Sequence, residues 1–196
     1  MPLAGLDFTG HVERLCRDIC ARMSEFSHVD MDLVGVRYCQ TRRAGRFGMH
    51  ASLTPLRFAG GALETTRRGR RWTIERVCDP SGRELLYLLS FYLPRFLDQP
   101  LDEKLATICH ELWHISPAFD GDLRRHEGRC YAHGSSERKY HAAMQQLARD
   151  YVQAGAPRER YEFLTGTFRE IQARHGGVYG MKIRSPRLIP ATGGSR

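Results

Sequence analysis

A single α+β domain is the fold class this sequence predicts, and three patterns predict it. Apolar residues recur at helical spacing in residues 9–26, 101–115 and 135–153. Between the first two of these segments lie extended stretches, rich in Val and Tyr or alternating in polarity, separated by turn residues. No internal repeat divides the 196 residues, a length that supports one domain with a real core. The domain is expected to occupy 1–190, with 191–196 as a flexible C-terminal tail.

Each element has its own signal. In 9–26, Val12, Leu15, Ile19 and Met23 fall on one helical face. Leu33 to Cys39 is extended in character. After TRRAGR, Phe47, Met49, Ala51 and Leu53 alternate with Gly48, His50 and Ser52, so the two stretches are predicted to form an antiparallel hairpin. Gly60-Gly61 breaks the pattern. Trp72 to Val77 reads as a third strand, and Asp79-Pro80-Ser81-Gly82 as a turn pairing it with Leu85 to Tyr92. Pro100 suits a helix start, with Asp102 and Glu103 at the positive end of the dipole. That helix is expected over 101–115 and stops before Pro117. Glycines punctuate 117–134. A helix over 135–153 carries Tyr140, Met144, Leu147 and Tyr151 on one face, and 158–174 reads as one more.

Composition narrows the class. Hydrophobic residues make up 41% and charged residues 27%, as in a soluble globular chain. The start lacks a signal-peptide pattern, and LLYLLSFYLPRFL is too short and interrupted to span a bilayer, so a cytoplasmic protein without membrane contact is expected. The six cysteines form no C-x-x-C pair, which excludes a zinc ribbon of usual spacing and favours free, mainly buried thiols. Cys16 and Cys20, one turn apart, read as packing residues. The net charge of +8 permits a weak, non-specific nucleic-acid contact. Its densest run is Arg67-Arg68-Gly69-Arg70-Arg71, and no recognised reading motif surrounds it.

The segment ATICHELWHISP carries the chemistry. On the predicted helix, Leu105, Ile108, Leu112 and Ile115 form an apolar stripe, and His110 and His114 point away from it. Residues at i and i+4 have Cβ atoms about 5–6 Å apart, so two imidazoles can converge on one ion. Glu111 lies roughly 100° around the helix and can face a metal-bound water as general base. H-E-x-x-H arises by chance in roughly two chains in a hundred of this length, which favours a site over coincidence. A catalytic zinc needs a third protein ligand. Asp120, His126, Glu127, His133, Glu137 and His141 are the downstream candidates. Asp120 and Asp122 read better as residues that tie the loop. The other histidines (His11, His28, His50 and His175) read as surface or helix-face residues, His126 as a solvated loop residue and His141 as exposed. Tyr131, Tyr140 and His126 are weak candidates for an oxyanion stabiliser.

HELWH followed by AHGSSERKYHAAM resembles the SprT-like zinc metallopeptidases and the related phage metallopeptidases. Their pattern is H-E-x-x-H, a variable loop, H-G, a short polar stretch, an aromatic residue and an apolar helix. His133-Gly134, Glu137, Tyr140 and Met144 match the second block, and the resemblance covers mainly residues 84–153. It implies a zincin-like fold: an antiparallel β-meander, an active-site HExxH helix and flanking helices. It implies one Zn2+ held by His110, His114 and His133, with Glu111 catalytic. The linker from His114 to His133 is longer than in typical members, and their zinc ribbon is absent. The expected function is therefore a zinc metallopeptidase acting on a protein or peptide substrate. The alternative is a nucleic-acid-associated protein or binding module on the same fold, with a structural or vestigial zinc site.

Overall fold

The computed structural model describes residues 5–41, 48–125 and 137–191. In chain order its elements are β1 (Leu6–Asp7), α1 (Phe8–Arg22), β2 (Val34–Gln40), β3 (Ala51–Pro55), β4 (Glu64–Arg67), β5 (Arg70–Ile74) and β6 (Tyr87–Leu93). Then follow α2 (Leu101–Trp113), α3 (Glu137–Gln153), α4 (Arg158–Tyr161), α5 (Phe168–His175), β7 (Val178–Tyr179) and β8 (Leu188–Pro190). The fold is mixed α+β with several sheets: β1-β7, β2-β6-β3 and β4-β5-β8. No zincin-specific topology stands out in that arrangement. No helix of the described residues is long and apolar enough to cross a membrane.

The middle sheet departs from the predicted hairpin. β2 and β3 do not pair with each other. β2 runs parallel to β6, with Val34 opposite Tyr87 and Gln40 opposite Leu93. β3 runs antiparallel along the other side of β6, with Ala51 opposite Phe91. The expected antiparallel meander is thus corrected to a mixed sheet with β6 at its centre. The reason lies in YLLSFYL: six of its seven residues are buried, and a strand with both faces and both edges covered needs two neighbours. The turn at Asp79 does form, since the Asp79 amide donates to the Arg83 carbonyl and the Leu85 amide to Val77. Beyond it the chain splits, and β5 goes to β4 and β8 instead of β6.

The helices match their patterns more closely. The Asp7 carboxylate accepts the Gly10 amide and caps α1. Val12, Leu15, Ile19 and Met23 are buried against the sheet as expected. Phe8 meets Phe91 and Phe96 with ring centroids 5.7 and 5.9 Å away, and all three are fully buried. Each such side chain contributes about 1.5–3 kcal/mol. Met144 and Tyr151 bring α3 onto the same core. The predicted helix over 158–174 is broken in two. Thr167 and Glu170 form a capping box that starts α5 afresh, after Gly166 takes a positive φ of 97°.

A buried lysine ties α2 to this break. Lys104 is 1% exposed, and its ammonium donates to the carbonyls of Leu164 (2.7 Å) and Gly166 (2.5 Å). Burial lowers its pKa to about 8, against an ordinary 10.5, although Asp98 and Glu170 pull the other way. Between those two values the unfolded chain holds a proton the folded chain has released. Stability contributed through this group therefore rises with pH across that window. Urea unfolding of the wild type and of Lys104→Met from pH 7 to 10.5 should show the wild type gaining on the variant above pH 8. A constant difference between the two curves would contradict the assignment.

Candidate functional site

The i, i+4 spacing on α2 brings the two histidines together. Their Nε2 atoms are 2.9 Å apart, and the rings stand nearly perpendicular with centroids at 4.6 Å. Tyr140 of α3 closes over them. Its ring meets His110 edge-on at 5.0 Å and lies roughly parallel to His114 at 6.3 Å. Glu111 points elsewhere: it is 6% exposed, and its carboxyl accepts the Leu53 amide of β3. Burial pushes that carboxyl up to about 7, with the Leu53 bond opposing. Burial also raises the Tyr140 hydroxyl, with the Glu111 charge adding to the effect.

The segment after α2 is fixed by its own polar contacts. The His114 carbonyl accepts the Arg124 amide at 2.7 Å. The Arg124 guanidinium stacks on Trp113, 4.1 Å from the ring centroid, and donates to the Trp113 carbonyl. The buried Asp122 carboxylate accepts from the Gly60 amide and from two nitrogens of Arg125. Asp120 accepts the Asp122 amide at 3.1 Å. Both aspartates thus tie the chain, as the sequence suggested. The buried Tyr87 hydroxyl donates to the Asp122 carbonyl (3.0 Å) and accepts the Gly121 amide (2.9 Å).

A cleft of about 350 Å³ opens beside Glu111, between β3, α2 and α3. His50, Gln99, Glu103, Thr107, His110 and His141 supply its polar lining. His50 and Gln99 were missed by sequence reasoning. They reach the cleft from a strand end and a turn, and no local pattern announces such a meeting. His141 is about half exposed and sits 3.4 Å from Glu103.

The cleft lies along the outer side of β3, with which no other described strand pairs. On either side of β3, His50 and Leu56 bond to β6 and its extension: Tyr92 donates to the His50 carbonyl, and Leu56 donates to Leu86. By alternation, the backbone groups of Ala51 and Leu53 face away from β6, toward α2 and the cleft. The opposite edge is covered. The Tyr38 amide of β2 donates to the Met181 carbonyl, and Arg37 donates to Ser90 and to the Ile183 carbonyl. A larger cavity of about 920 Å³ borders that side. Arg17 and Arg83 there are already paired with Asp32, at 2.6 and 2.9 Å.

The expected zinc centre is overturned. Among the described residues, no group of three or more His, Cys, Asp or Glu side chains is placed to hold a metal ion. His110 and His114 converge, but Glu111 is turned to Leu53, Asp120 is engaged with its own loop and His141 faces Glu103. His133, the third expected ligand, lies outside the described residues, as do His126, Glu127, Tyr131 and the Glu137 side chain. With that finding go zinc as cofactor, the zinc metallopeptidase activity, Glu111 as base toward a zinc-bound water, and the structural-zinc alternative. Comparison with known proteins found no matching family model, no matching curated protein and no matching solved structure.

Tyr87 is the residue on which the geometry after α2 rests. Tyr87→Phe leaves a buried carbonyl and a buried amide without their partner. It should lower unfolding free energy by about 1–3 kcal/mol, read from urea denaturation. Amide exchange at Gly121 should quicken with it. Unchanged stability and exchange would show the loop is held by other contacts.

Proposed function

We propose that this chain is a peptide-binding protein that takes an extended segment of a protein partner along the outer edge of β3. The observation that carries the reading is the outward backbone of Ala51 and Leu53, beside a cleft lined by histidines and glutamates. A strand edge supplies main-chain hydrogen bonds, and the side chains around it supply selectivity. In this reading the His110 ring, which lines the cleft, packs against the bound segment. Glu111 already takes the Leu53 amide, so the partner would bond to the Leu53 carbonyl and the backbone of Ala51. Glu103 and His141 stand at the far side of the cleft and favour a polar or cationic side chain there. The proposal is of binding and not of turnover.

The test starts from heptapeptides selected on the folded protein. A selected peptide is then N-methylated at alternate amides, in two complementary sets. Strand addition bonds only every second residue of the peptide to the edge. One set should lose binding by tenfold or more while the other keeps it. His110→Ala should weaken the unmodified peptide. Failure to select any peptide, or equal tolerance of both methylated sets, would overturn the reading.

A further inference from the structure

The β4-β5-β8 sheet carries an arginine cluster that the fold does not use. β4 and β5 form a hairpin whose turn is Arg68-Gly69, both with positive φ (51° and 75°). This is the conformation of a two-residue hairpin turn. Arg67 and Arg70 are directly opposite each other across it. Arg71 sits one place further along and is bonded to Glu64, with its Nε 2.7 Å from the carboxylate. Arg67, Arg68 and Arg70 are exposed. None of the three shares an ion pair or side-chain hydrogen bond with any described residue, although Arg76 and Arg187, just beyond the ends of β5 and β8, are matched to Glu84 and Glu75.

That placement works against the hairpin. Directly opposed side chains on an antiparallel pair have Cβ atoms about 4.5–5.5 Å apart, and like charges there are destabilising. The turn puts a third guanidinium next to that pair. Strand alternation sets Trp72 on the same face as Arg67 and Arg70, behind them toward the body. The base of the arm is anchored by Ile74, which packs on Leu56, Leu85 and Leu88. The tip is therefore a held, projecting fork of three unmatched guanidiniums. A two-stranded ribbon fits the major groove of a duplex, and guanidiniums are suited to phosphate oxygens.

We propose that the β4–β5 hairpin is a nucleic-acid contact arm whose Arg67, Arg68 and Arg70 engage backbone phosphates of a duplex without reading its sequence. The arm stands on a different sheet from the β3 edge, so it does not depend on the peptide reading. An anionic partner between Arg67 and Arg70 relieves their mutual repulsion, which gives the tip a reason to prefer phosphate over water. Affinity then comes from counterion release and falls steeply with salt.

Anisotropy of a labelled mixed-sequence 20-base-pair DNA duplex, titrated with the full chain at salt from 50 to 200 mM, tests this. The wild type should bind at the low end, equally well to a duplex of different sequence. Arg67→Ala, Arg68→Ala and Arg70→Ala together should weaken binding at least tenfold. They should also reduce the slope of log affinity on log salt by roughly 0.9 per lost phosphate contact. The triple Lys variant keeps the charge and should retain most of the affinity. A control of equal charge loss on the helices, R158A with R160A and R169A, should cost under about threefold, since it removes net charge without touching the arm. Absence of binding by the wild type at 50 mM salt overturns the proposal, as does an equal effect of the two triple-Ala variants. Arm-dependent binding to phosphatidylserine vesicles without binding to the duplex assigns the arm to a lipid surface and overturns it too.

Discussion

The rest of the molecule depends on the burial of β6. It is the one strand of its sheet with a neighbour on each side, and Tyr87, Leu88, Leu89, Ser90 and Phe91 are all fully enclosed. A strand so enclosed cannot leave backbone groups unbonded. Both of its edges must therefore be paired, which sends β2 to one side and β3 to the other. The position of the cleft follows from that arrangement. Placing β3 at the outer position of the described sheet sets its other edge against α2, where Glu111 meets Leu53. On the other side, Arg37 reaches across its register partner Ser90 to clamp the C-terminal segment onto β2. Tyr87, the first residue of β6, then holds the segment after α2 through its hydroxyl.

Much of this was legible in the sequence, and the parts that were not share a physical cause. Helices α1, α2 and α3 announce themselves because their apolar residues repeat within the element, and the repeat is local. Strands β2, β3, β5 and β6 were read from the sequence, but their partners were not, and β1 and β4 were missed. Alternation in 47–53 identifies a strand with two unlike faces and says nothing of the strand it joins. The near-continuous apolar run YLLSFYL was the available signal, since parallel pairing goes with burial on both faces. A turn signal, such as the one at Asp79, fixes where the chain reverses. It does not fix how far two strands travel together afterwards. The short strands β7 and β8 had no pattern to read at all: each is two or three residues long and is defined by its neighbour.

The site divides along the same line. The convergence of His110 and His114 was legible because helix geometry alone produces it. Glu111's separation from them was legible for the same reason. Its partner was not: a carboxylate that accepts a strand amide from 58 residues earlier is a tertiary fact. Among the described residues no third group joins His110 and His114, and no spacing on α2 can guarantee one. His50 and Gln99 entered the cleft through tertiary placement, and His50 in particular looked like any surface histidine.

Glu111 also shows where the site and the stability of the fold pull apart. A glutamine there could accept the Leu53 amide through its side-chain oxygen and would carry no charge into the core. The carboxyl instead loses solvent, with its pKa pushed to about 7. This is a local choice that packing does not favour. Natural edge strands are blunted by short length and by proline; β3 is five residues long with Pro55 at its end, and Glu111 of α2 stands against its middle. Leu53's amide is taken by that carboxylate, while no other described strand pairs with its carbonyl or with the backbone of Ala51. The edge is therefore restricted to a short, defined register instead of being closed. That is the arrangement expected of a strand that must admit one partner segment and resist open-ended pairing with another copy of itself.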